Sequence, residues 1–586
     1  MDFFTGRNGL VSDLGPGLQN GNSIWGTFEQ PWLLPWIQDN GIDSQSCPWG
    51  ELGTGDNPYT SAPDTGITRY YGWSITRGYL QPDGYNKSVV LVNDQFPGPL
   101  IEANWGDWIE VTVTNNIETV DEGTSMHWHG LLQESTPFMD GVPGVTQCPI
   151  APGSTFTYRF RATLFGTSWY HSHYSAQNSG GLHGPIVIHG PSNVDYDIDV
   201  GPIEVTDWWH ADYYSVVESI MAPNFSGRSY SDGNLINGKN NFNCSVAAAA
   251  GDTTSCTTNA GISKFKFISG KTHRLRFINS GSQGTQRISI DGHTMSVIAN
   301  DFVEIQPYNT TVITLGVGQR ADVLVTADAG AANSSFWLRA NLTSCASANA
   351  PNAAAAIFYE SADTDAAPNS TAWDVPDPGD CANDPLENTI PVYAVELPEP
   401  SWTQNLDIGT FINESGNYLW TLGGVSARVD YNSPSLLQAT EGNFSWTAEQ
   451  NVLDFGTNSS IRLIINNPTV SPHPMHAHGL NMYILADGAG NYDGTSLVRT
   501  ENPMRRDVQN VRAFGHIVVQ VDASNPGIWP FHCHIAWHSS AGFFSQFVFQ
   551  SDQIANLDVP QSVTDGCAAW SGFTSVDTPD QIDSGL

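Results

Sequence analysis

Short apolar segments bounded by Gly, Pro, Asn and Asp recur along the whole chain, and they are rich in Val, Ile, Thr and aromatic residues. Segments of this kind predict β-strands, and their regular spacing between turn residues is typical of β-sandwiches or barrels. The ten clearest predicted strands are Ser88–Asn93, Trp108–Val113, Phe156–Arg161, Pro185–His189, Lys264–Ile268, Arg274–Ile278, Ile288–Ile290, Ala321–Val325, Ile461–Ile465 and His516–Val521. We expect an all-β chain with few short helices, one of them at Ala211–Ile220.

One strand-and-turn pattern occurs three times, which predicts three similar sandwich domains. Trp108–Asn116 precedes His127-Trp128-His129-Gly130, and Ile461–Asn467 precedes His476-Ala477-His478-Gly479. Between them, Thr272–Asn279 precedes Asp291-Gly292-His293, which keeps the strand but lacks the paired histidines. The first and third domains are therefore expected to carry metal, with the middle one as a spacer. The expected division is an irregular N-terminal extension at 1–66 and domains at 67–191, 192–380 and 381–586, with boundaries near Pro191 and in Asp374–Asp384.

Histidines provide the strongest chemical signal, because 10 of the 16 fall in four short clusters. The clusters are His127-Trp128-His129, His171-Ser172-His173, His473-Pro474-Met475-His476-Ala477-His478 and His532-Cys533-His534-Ile535-Ala536-Trp537-His538. In a strand, side chains at i and i+2 leave the same face, so each His-X-His unit directs two imidazoles to one place. Eight imidazoles can thus converge on a metal cluster.

Cys533 lies between two of these histidines and must therefore point to the opposite face of the strand. There it can form a second site with His473 and His538. Two imidazoles and a thiolate with a weak or absent axial ligand suit a blue-copper electron-transfer centre. Structural zinc prefers a closed set of four ligands, usually with several cysteines, so one cysteine among ten histidines argues against zinc. The other histidines receive no metal role: His183, His189, His210, His273, His293 and His516.

Size and charge exclude some classes of function. At 586 residues the chain exceeds one hydrophobic core. Its 59 acidic and 22 basic residues give a net charge of −37, which would repel nucleic acid. It contains no apolar run of about 18 residues, so we expect no membrane span.

The cysteines and glycosylation sequons favour a secreted protein. The N-terminal residues lack the basic start and apolar stretch of a signal peptide, so we expect that the signal has been removed. Besides Cys533 there are seven cysteines, which allow three disulfides and one unpaired residue. We take the unpaired one as Cys47, whose partner would lie in a removed or disordered N-terminal piece. The ten sequons begin at Asn86, Asn224, Asn243, Asn309, Asn333, Asn341, Asn369, Asn413, Asn443 and Asn458.

The four clusters resemble those of multicopper oxidases, from about residue 66 to the end of the chain. Within that family the chain is most similar to ascomycete fungal laccases, in Val92–Pro99, Gly123–Gly130, Gly141–Pro149, Gly166–His173 and Pro503–Asp507. The resemblance implies three consecutive cupredoxin-like domains of Greek-key β-sandwich type. It also implies an enzyme that oxidises phenols and other aromatic donors by one electron at a time and reduces O2 to water.

By the same resemblance, four coppers bind per chain at the clustered residues. The implied ligands are His473, Cys533 and His538 for the type 1 copper, His127 and His476 for the type 2 copper, and His129, His171, His173, His478, His532 and His534 for the two type 3 coppers. Phe543 follows His538 by five residues, at the axial position of the type 1 copper. A phenylalanine cannot coordinate, so we expect a raised reduction potential.

Two acidic residues are implied to handle protons. Asp232 stands where laccases have an acidic residue for the substrate, and Asp140 resembles the family's acidic residue near the type 2 copper. The C-terminal residues Asp583–Leu586 resemble the family's tail, which is implied to plug a channel to the copper cluster.

Two alternatives to a laccase remain at this point. A related oxidase could use ascorbate, a pigment precursor or Fe2+ as its donor, and a non-catalytic copper carrier would leave the eight cluster histidines unexplained. The expected partners are a small phenolic donor and O2, without nucleic acid or membrane, and the expected oligomeric state is a monomer.

Overall fold

Short β-strands joined by turns make up most of the protein, as the computed structural model shows. The structure describes residues 24–38, 47–118, 121–225, 227–576 and 581–586. Each of the ten predicted strands overlaps an observed strand, and the predicted helix at Ala211–Ile220 is observed at Tyr213–Ile220. The all-β fold class is confirmed. No helix in the described ranges is long and apolar enough to cross a membrane.

The first pair of sheets contains eight strands. They are β1 Thr68–Leu80, β2 Lys87–Val92, β3 Ile101–Asn104, β4 Trp108–Asn115, β5 His127–His129, β6 Thr155–Arg161, β7 Gly166–His171 and β8 His183–His189. One sheet has the order β2-β1-β4-β6 and the other the order β3-β8-β7-β5. The second sheet places two histidine-bearing strands, β5 and β7, side by side.

The second pair of sheets contains eleven strands. They are β9 Ile198–Trp208, β10 Gly233–Ile236, β11 Lys264–Phe267, β12 Thr272–Asn279, β13 Gln286–Ile290, β14 Met295–Asn300, β15 Val303–Thr310, β16 Ile313–Leu315, β17 Arg320–Thr326, β18 Ser335–Leu342 and β19 Asn352–Tyr359. The sheet orders are β10-β9-β12-β17-β14-β15 and β11-β19-β18-β13-β16.

The remaining strands form two five-stranded sheets and a two-stranded ribbon. They are β20 Trp402–Asn405, β21 Ile408–Ile412, β22 Tyr418–Leu422, β23 Val452–Asp454, β24 Ser460–Asn467, β25 His473–Ala477, β26 Met482–Ala489, β27 Met504–Arg506, β28 Val508–Val511, β29 Gly515–Asp522, β30 Gly527–Cys533 and β31 Phe544–Phe549. The sheet orders are β20-β24-β29-β26-β27, β23-β31-β30-β25-β28 and β21-β22. The domain boundaries given above stay predictions.

Helices are few and mostly brief. The α-helices are α1 Tyr213–Ile220, α2 Cys244–Ala249, α3 Ser435–Thr440, α4 Ala536–Ser540, α5 Ser551–Ile554 and α6 Gln561–Thr574. The 3-10 helices are Pro137–Met139, Gln177–Gly180 and Ala448–Gln450. The longest, α6, is joined to the first pair of sheets by the disulfide Cys148–Cys567.

Two kinds of strand build the core. Along β4 the residues alternate, so that Ile109, Val111 and Val113 are buried while their neighbours are partly exposed. Such a strand has one face in the core and one towards water. In contrast, every residue of β5, β7 and β30 is buried. Because successive side chains of a strand point to opposite faces, β30 can supply two separate buried environments.

The disulfides and the N-terminal extension complete the framework. Cys244–Cys256 and Cys345–Cys381 are the other disulfides, and Cys47 and Cys533 are free among the described residues. Of the extension, 24–38 and 47–66 are described, and no helix or multi-residue strand is found there. Trp25 and Leu33 of this segment are buried and pack against Val187.

Candidate metal centre

The thiol of Cys533 lies between two imidazoles. Its Sγ is 3.6 Å from Nδ1 of His473 and 3.7 Å from Nδ1 of His538, and the two nitrogens are 3.2 Å apart. Cys533 and His473 are fully buried, whereas His538 is 9% exposed. The three ligand atoms therefore form a compact triangle with one edge of His538 near the surface.

Local backbone structure positions these three residues. Strand β30 ends at Cys533 and pairs antiparallel with β25, which begins at His473, so that Met475 stands opposite Cys533. The chain then turns into α4, which carries His538. The backbone N–H of Phe543 donates to the carbonyl of His538, and the N–H of Cys533 donates to the carbonyl of Phe543. These two hydrogen bonds hold His538 close to the sulfur of Cys533.

The eight remaining clustered histidines meet on the other face of β30. Two cross-strand pairs supply four of them: His127 stands opposite His171, and His476 opposite His532. The other close approaches bring ring nitrogens together across the site. They are His478 Nε2 to His532 Nε2 at 3.0 Å, His129 Nδ1 to His534 Nε2 at 3.3 Å, and His173 Nε2 to His532 Nε2 at 3.4 Å.

Carbonyl and carboxylate oxygens hold the outer nitrogens of these rings. The contacts are His127 Nδ1 to the Asp140 carbonyl at 2.8 Å, His171 Nδ1 to the Ser172 carbonyl at 2.9 Å, His476 Nδ1 to the Asp507 carbonyl at 3.0 Å, His532 Nδ1 to the Cys533 carbonyl at 3.0 Å, His478 Nδ1 to Asp140 Oδ2 at 2.9 Å and His129 Nε2 to Asp507 Oδ1 at 3.0 Å. Since an oxygen acceptor requires the N–H on the outer nitrogen, the inner nitrogen has a free lone pair. This is the arrangement of a metal-binding imidazole.

Several inner nitrogens are buried without any hydrogen-bond partner, namely Nε2 of His127, His171 and His476. A buried polar atom left without a partner costs about 1–3 kcal/mol, so three such acceptors in one place need a cation. Protons do not fill this role, because burial holds the pKa of His171 and His476 well below the usual range. The donor set of neutral imidazoles and one thiolate fits copper.

Comparison with known proteins agrees with this chemistry. Three family models, each described as multicopper oxidase, match residues 74–193, 199–362 and 426–553. The chain belongs to the multicopper oxidase family. Laccase-2 of Botryotinia fuckeliana is 37% identical, with 93% of each chain covered. Oxidoreductase OpS5 of Beauveria bassiana is 38% identical, with 94% of this chain and 92% of the relative covered. The crystal structure of the laccase from Botrytis aclada is 35% identical with a TM-score of 0.84, covering 92% of this chain and 98% of that one.

Family membership and the histidine groups together give this multicopper oxidase four coppers per chain, one type 1, one type 2 and two type 3. Family membership also confirms the three cupredoxin-like domains.

The glycines in the repeated motifs have a structural reason. A Cβ on Gly130 would lie 2.6 Å from both Arg320 Nη2 and Asp507 Oδ2, and one on Gly479 would lie 2.3 Å from the ring of Trp529.

Asp140 lies within the histidine cluster of this multicopper oxidase. Besides its contact with His478, its Oδ1 is 3.3 Å from Nδ1 of His127, and the side chain is fully buried. Asp232 lies elsewhere: its carboxylate accepts from the backbone N–H of His210 at 2.8 Å and from Asn349 Nδ2 at 3.4 Å. Two neighbouring cavities open beside His538, and Asp232 is not among the residues that line them.

Asp507 is the main site residue that the sequence did not reveal. It contacts His129 and His476 and forms a two-pronged ion pair with Arg320, with Oδ2 2.7 Å from Nη2. Burial raises the pKa of Asp507 to about 6, although the Arg320 guanidinium opposes this. Asp507 stands in the Pro503–Asp507 stretch, but nothing in its spacing distinguishes it from a surface acid.

Trp420 and Thr469 were also missed. The ring of Trp420, on β22, is 4.2 Å from the ring of His538, and Thr469 Oγ1 is 3.1 Å from Nε2 of His473. Trp420 comes from a strand without a histidine, and Thr469 stands four residues before His473 in a turn whose shape only the folded chain shows.

The C-terminal tail is buried close to these residues. Asp583, Ser584 and Leu586 are each less than 5% exposed. The Ser175 hydroxyl donates to Asp583 Oδ2 at 2.6 Å, and the Ser584 hydroxyl donates to the Ser539 carbonyl at 2.7 Å. The tail thus connects the segment after His173 with helix α4.

Proposed function

We propose that the protein is a laccase-type oxidase, which removes single electrons from phenols and other aromatic donors and reduces O2 to water. The observation that carries this proposal is the placement of Cys533. Its sulfur faces His473 and His538, while its two chain neighbours His532 and His534 face the eight-histidine cluster. When bound, copper supplies the one-electron redox chemistry that joins four donor oxidations to one reduction of O2.

The proposed ligand sets follow from this placement and the family motifs. Type 1 copper takes His473, Cys533 and His538, type 2 takes His127 and His476, and the type 3 pair takes His129, His171, His173, His478, His532 and His534. The peptide bonds on either side of Cys533 connect the two groups covalently. Electrons from the donor are expected to enter at the exposed edge of His538.

Phe543 is proposed as the non-coordinating axial neighbour of the type 1 ligands. It is fully buried, and its ring centroid lies 4.9 Å from that of His473. A ring that provides no ligand atom leaves three strong donors, which disfavours Cu(II) and raises the reduction potential. Electrochemical titration of Phe543→Met tests this role, because the thioether should lower the potential and an unchanged value would contradict it.

Protons are proposed to pass through two carboxylates. Asp140 is placed to hold or give a proton at the rings of His127 and His478, where oxygen reduction consumes protons. Asp232 is proposed to accept the proton that a phenol releases on oxidation. Asp232 follows Ser231 in the chain, and the Ser231 N–H donates to the carbonyl of Ser347, which lines the larger cavity beside His538.

The tail Asp583–Leu586 is proposed to plug a channel to the histidine cluster. Its burial between Ser175 and Ser539 supports this role. Binding of azide to the copper-loaded enzyme measures the access: a chain ending at Ile582 should bind azide faster, and an unchanged rate would contradict the plug.

Secretion, glycosylation and a monomeric state are also proposed. The three disulfides support an oxidising compartment, and the ten sequons offer sites for sugar. Loss of mass on treatment with a glycosidase tests glycosylation, and the mass by light scattering tests the monomeric state.

Oxygen uptake with a panel of donors, together with copper quantification, tests the function. The panel holds a dimethoxyphenol, ascorbate, Fe2+ and bilirubin. We expect about four coppers per chain, from the ligand count, and fastest uptake with the phenol. Preference for ascorbate or Fe2+ would instead support a related oxidase with another donor. One copper and no oxygen uptake would support a copper carrier.

A further inference from the structure

Two neighbouring cavities open beside His538, and they differ in chemistry. Gly227, Gln283 and His538 line both of them. The smaller one is aromatic, with Tyr418, Trp420 and Trp537 in its wall. An aromatic donor ring placed there would lie beside the partly exposed edge of His538.

The larger cavity is polar, and Arg228 is among the residues that line it. Among the described residues that line the two cavities, Arg228 is the single Lys or Arg, and no Asp or Glu is present. This is a local exception in a chain with a net charge of −37. The positive charge of Arg228 beside the donor position favours an anionic group on the donor.

Hydrogen bonds hold the residue next to Arg228 in place, whereas the side chain of Arg228 is held by none from the described residues. The Gln283 side-chain amide donates to the Ser229 carbonyl at 3.2 Å, and the Trp209 indole N–H donates to the Ser229 hydroxyl at 2.9 Å. The Arg228 side chain itself makes no hydrogen bond or ion pair with the described residues, and Arg228 is exposed. Its five N–H donors are therefore available for a ligand.

We propose that Arg228 binds the carboxylate of the donor, so that the preferred donors are phenols carrying a carboxylate. The ring would occupy the aromatic cavity, and the carboxylate would reach the polar cavity. Arginine suits this role because its planar fork matches a carboxylate with two parallel hydrogen bonds. The proposal rests on the phenol-oxidising function proposed above and adds its substrate class.

Matched donors test the proposal in the copper-loaded enzyme. One is a dimethoxyphenol, and the other is the same phenol with a carboxylate on the ring, at a pH where the carboxylate is ionised. Arg228→Gln should raise KM for the carboxylated donor about tenfold, equivalent to about 1.4 kcal/mol. KM for the neutral donor should stay within about twofold, and kcat for both should be unchanged. Arg228→Lys should retain part of the preference.

Arg159→Gln is the charge-matched control. Arg159 lies on β6 and stacks on Trp108, away from both cavities, but its loss changes the net charge equally. If this control raises KM for the carboxylated donor as much as Arg228→Gln does, the effect comes from overall charge and the proposal is wrong. An equal change of KM for both donors in Arg228→Gln would also overturn it.

Direct binding separates this inference from the proposed function. Trimethoxybenzoate has no phenolic hydroxyl to oxidise, so its dissociation constant can be measured by calorimetry without turnover. Arg228→Gln should weaken its binding about tenfold. If the enzyme oxidises neither phenol but this loss of affinity is seen, the proposed function fails and the anion site stands. Equal affinity in both proteins would overturn the site even if both phenols are oxidised.

Discussion

His293 in the middle sheets and His478 in the third pair of sheets follow the same strand pattern but have different surroundings, with His293 after Gly292 and His478 before Gly479. Both ring nitrogens of His293 have protein partners: Nδ1 contacts the Asp291 carbonyl at 2.8 Å, and Nε2 contacts the Tyr359 hydroxyl at 2.6 Å. His478 has one such oxygen partner, Asp140, and its Nε2 faces other imidazoles. A buried histidine that follows the same strand pattern is therefore structural in one copy and a candidate ligand in the other.

The two kinds of histidine differ in whether their ring nitrogens converge on one place, and not in how deeply they are buried. Burial lowers the pKa of His273 to about 4, and it does the same for His532 in the cluster. The Nδ1 of His273 even lacks a hydrogen-bond partner. However, its ring stacks on Phe267 at 4.1 Å, and it belongs to none of the metal-holding groups found in the described ranges. A single buried nitrogen without a hydrogen-bond partner only lowers the stability of the fold, whereas several such nitrogens in one place form a metal site.

Replacing the thiol should give the largest effect. Cys533→Ser should abolish both the blue charge-transfer band and phenol oxidation, because a hydroxyl is a poor substitute for the thiolate. Absorption spectroscopy and oxygen uptake measure these two properties. Cys47→Ser removes the other free cysteine and should change neither. Retention of colour or of activity in Cys533→Ser would show that Cys533 is not a ligand.

The variants His478→Ala and His293→Ala test whether the two histidines differ as their surroundings indicate. His478→Ala should lose copper and oxygen uptake, because it removes a nitrogen from the cluster. His293→Ala should keep the copper and lose about 1–3 kcal/mol of stability, since the hydroxyl of buried Tyr359 loses the ring nitrogen to which it donates and keeps the bond from the Ala329 N–H. Copper content and thermal unfolding distinguish the two results. Loss of copper in His293→Ala would remove the distinction between the two regions.

A change at the outer partner should have a smaller effect. Asp140→Asn keeps the shape but removes the charge next to His127 and His478. We expect oxygen reduction to slow by about 10- to 100-fold, the usual cost of changing the partner of a metal-binding histidine. The blue band should remain, because Asp140 lies on the face away from Cys533. Kinetics at saturating phenol and oxygen provide the test, and an unaltered kcat would exclude the role.

How far the sequence predicts the molecule can be seen in particular elements. Strand β4 was predictable because its buried residues alternate, and each His-X-His unit because the same alternation applies to ligands. Helix α6 was missed because only Val563 and Trp570 are buried along it, a stripe too thin to give a helical pattern. The disulfide at Cys567 holds this helix against the first sheets.

The partners of the site were not predictable to the same degree. Asp507 contacts His129 across 378 positions of sequence, so no local spacing connects them. The two cavities at His538 depend on where the segments bearing Arg228, Trp420 and Ser471 meet, and each segment comes from a different stretch of the chain. Side chains that share a strand can be predicted from the sequence, but contacts between strands and loops need the fold.

Removal of copper should make the protein sensitive to acid. Burial lowers the folded-state pKa of His532 to about 4, below its ordinary value of 6.5. The unfolded chain thus binds protons first, so the stabilisation is present above about pH 6.5 and is lost as the pH falls towards 4. Each such histidine contributes up to roughly 3 kcal/mol, at about 1.4 kcal/mol per pKa unit.

Copper should suppress this loss in the cluster, because a metal-bound nitrogen cannot take a proton until the metal leaves. His273 should respond equally in both forms. Thermal unfolding from pH 7 to 5, with and without copper, measures the difference. A copper-loaded protein that loses as much stability as the copper-free protein would show that the converging nitrogens do not hold the metal.

The smallest expected effect concerns Asp232, which lies outside both histidine regions and is held by the His210 backbone N–H. Asp232→Asn can keep the bond from the His210 N–H through its amide oxygen but cannot accept a proton, so kcat/KM for phenols should fall by a few-fold at a pH where the carboxylate is ionised. An aromatic donor that releases no proton on oxidation is the control, and its kinetics should not change. The pH profile distinguishes the explanations: loss of its acidic limb for phenols alone supports proton transfer, whereas equal loss for both donors would indicate a change in cavity shape.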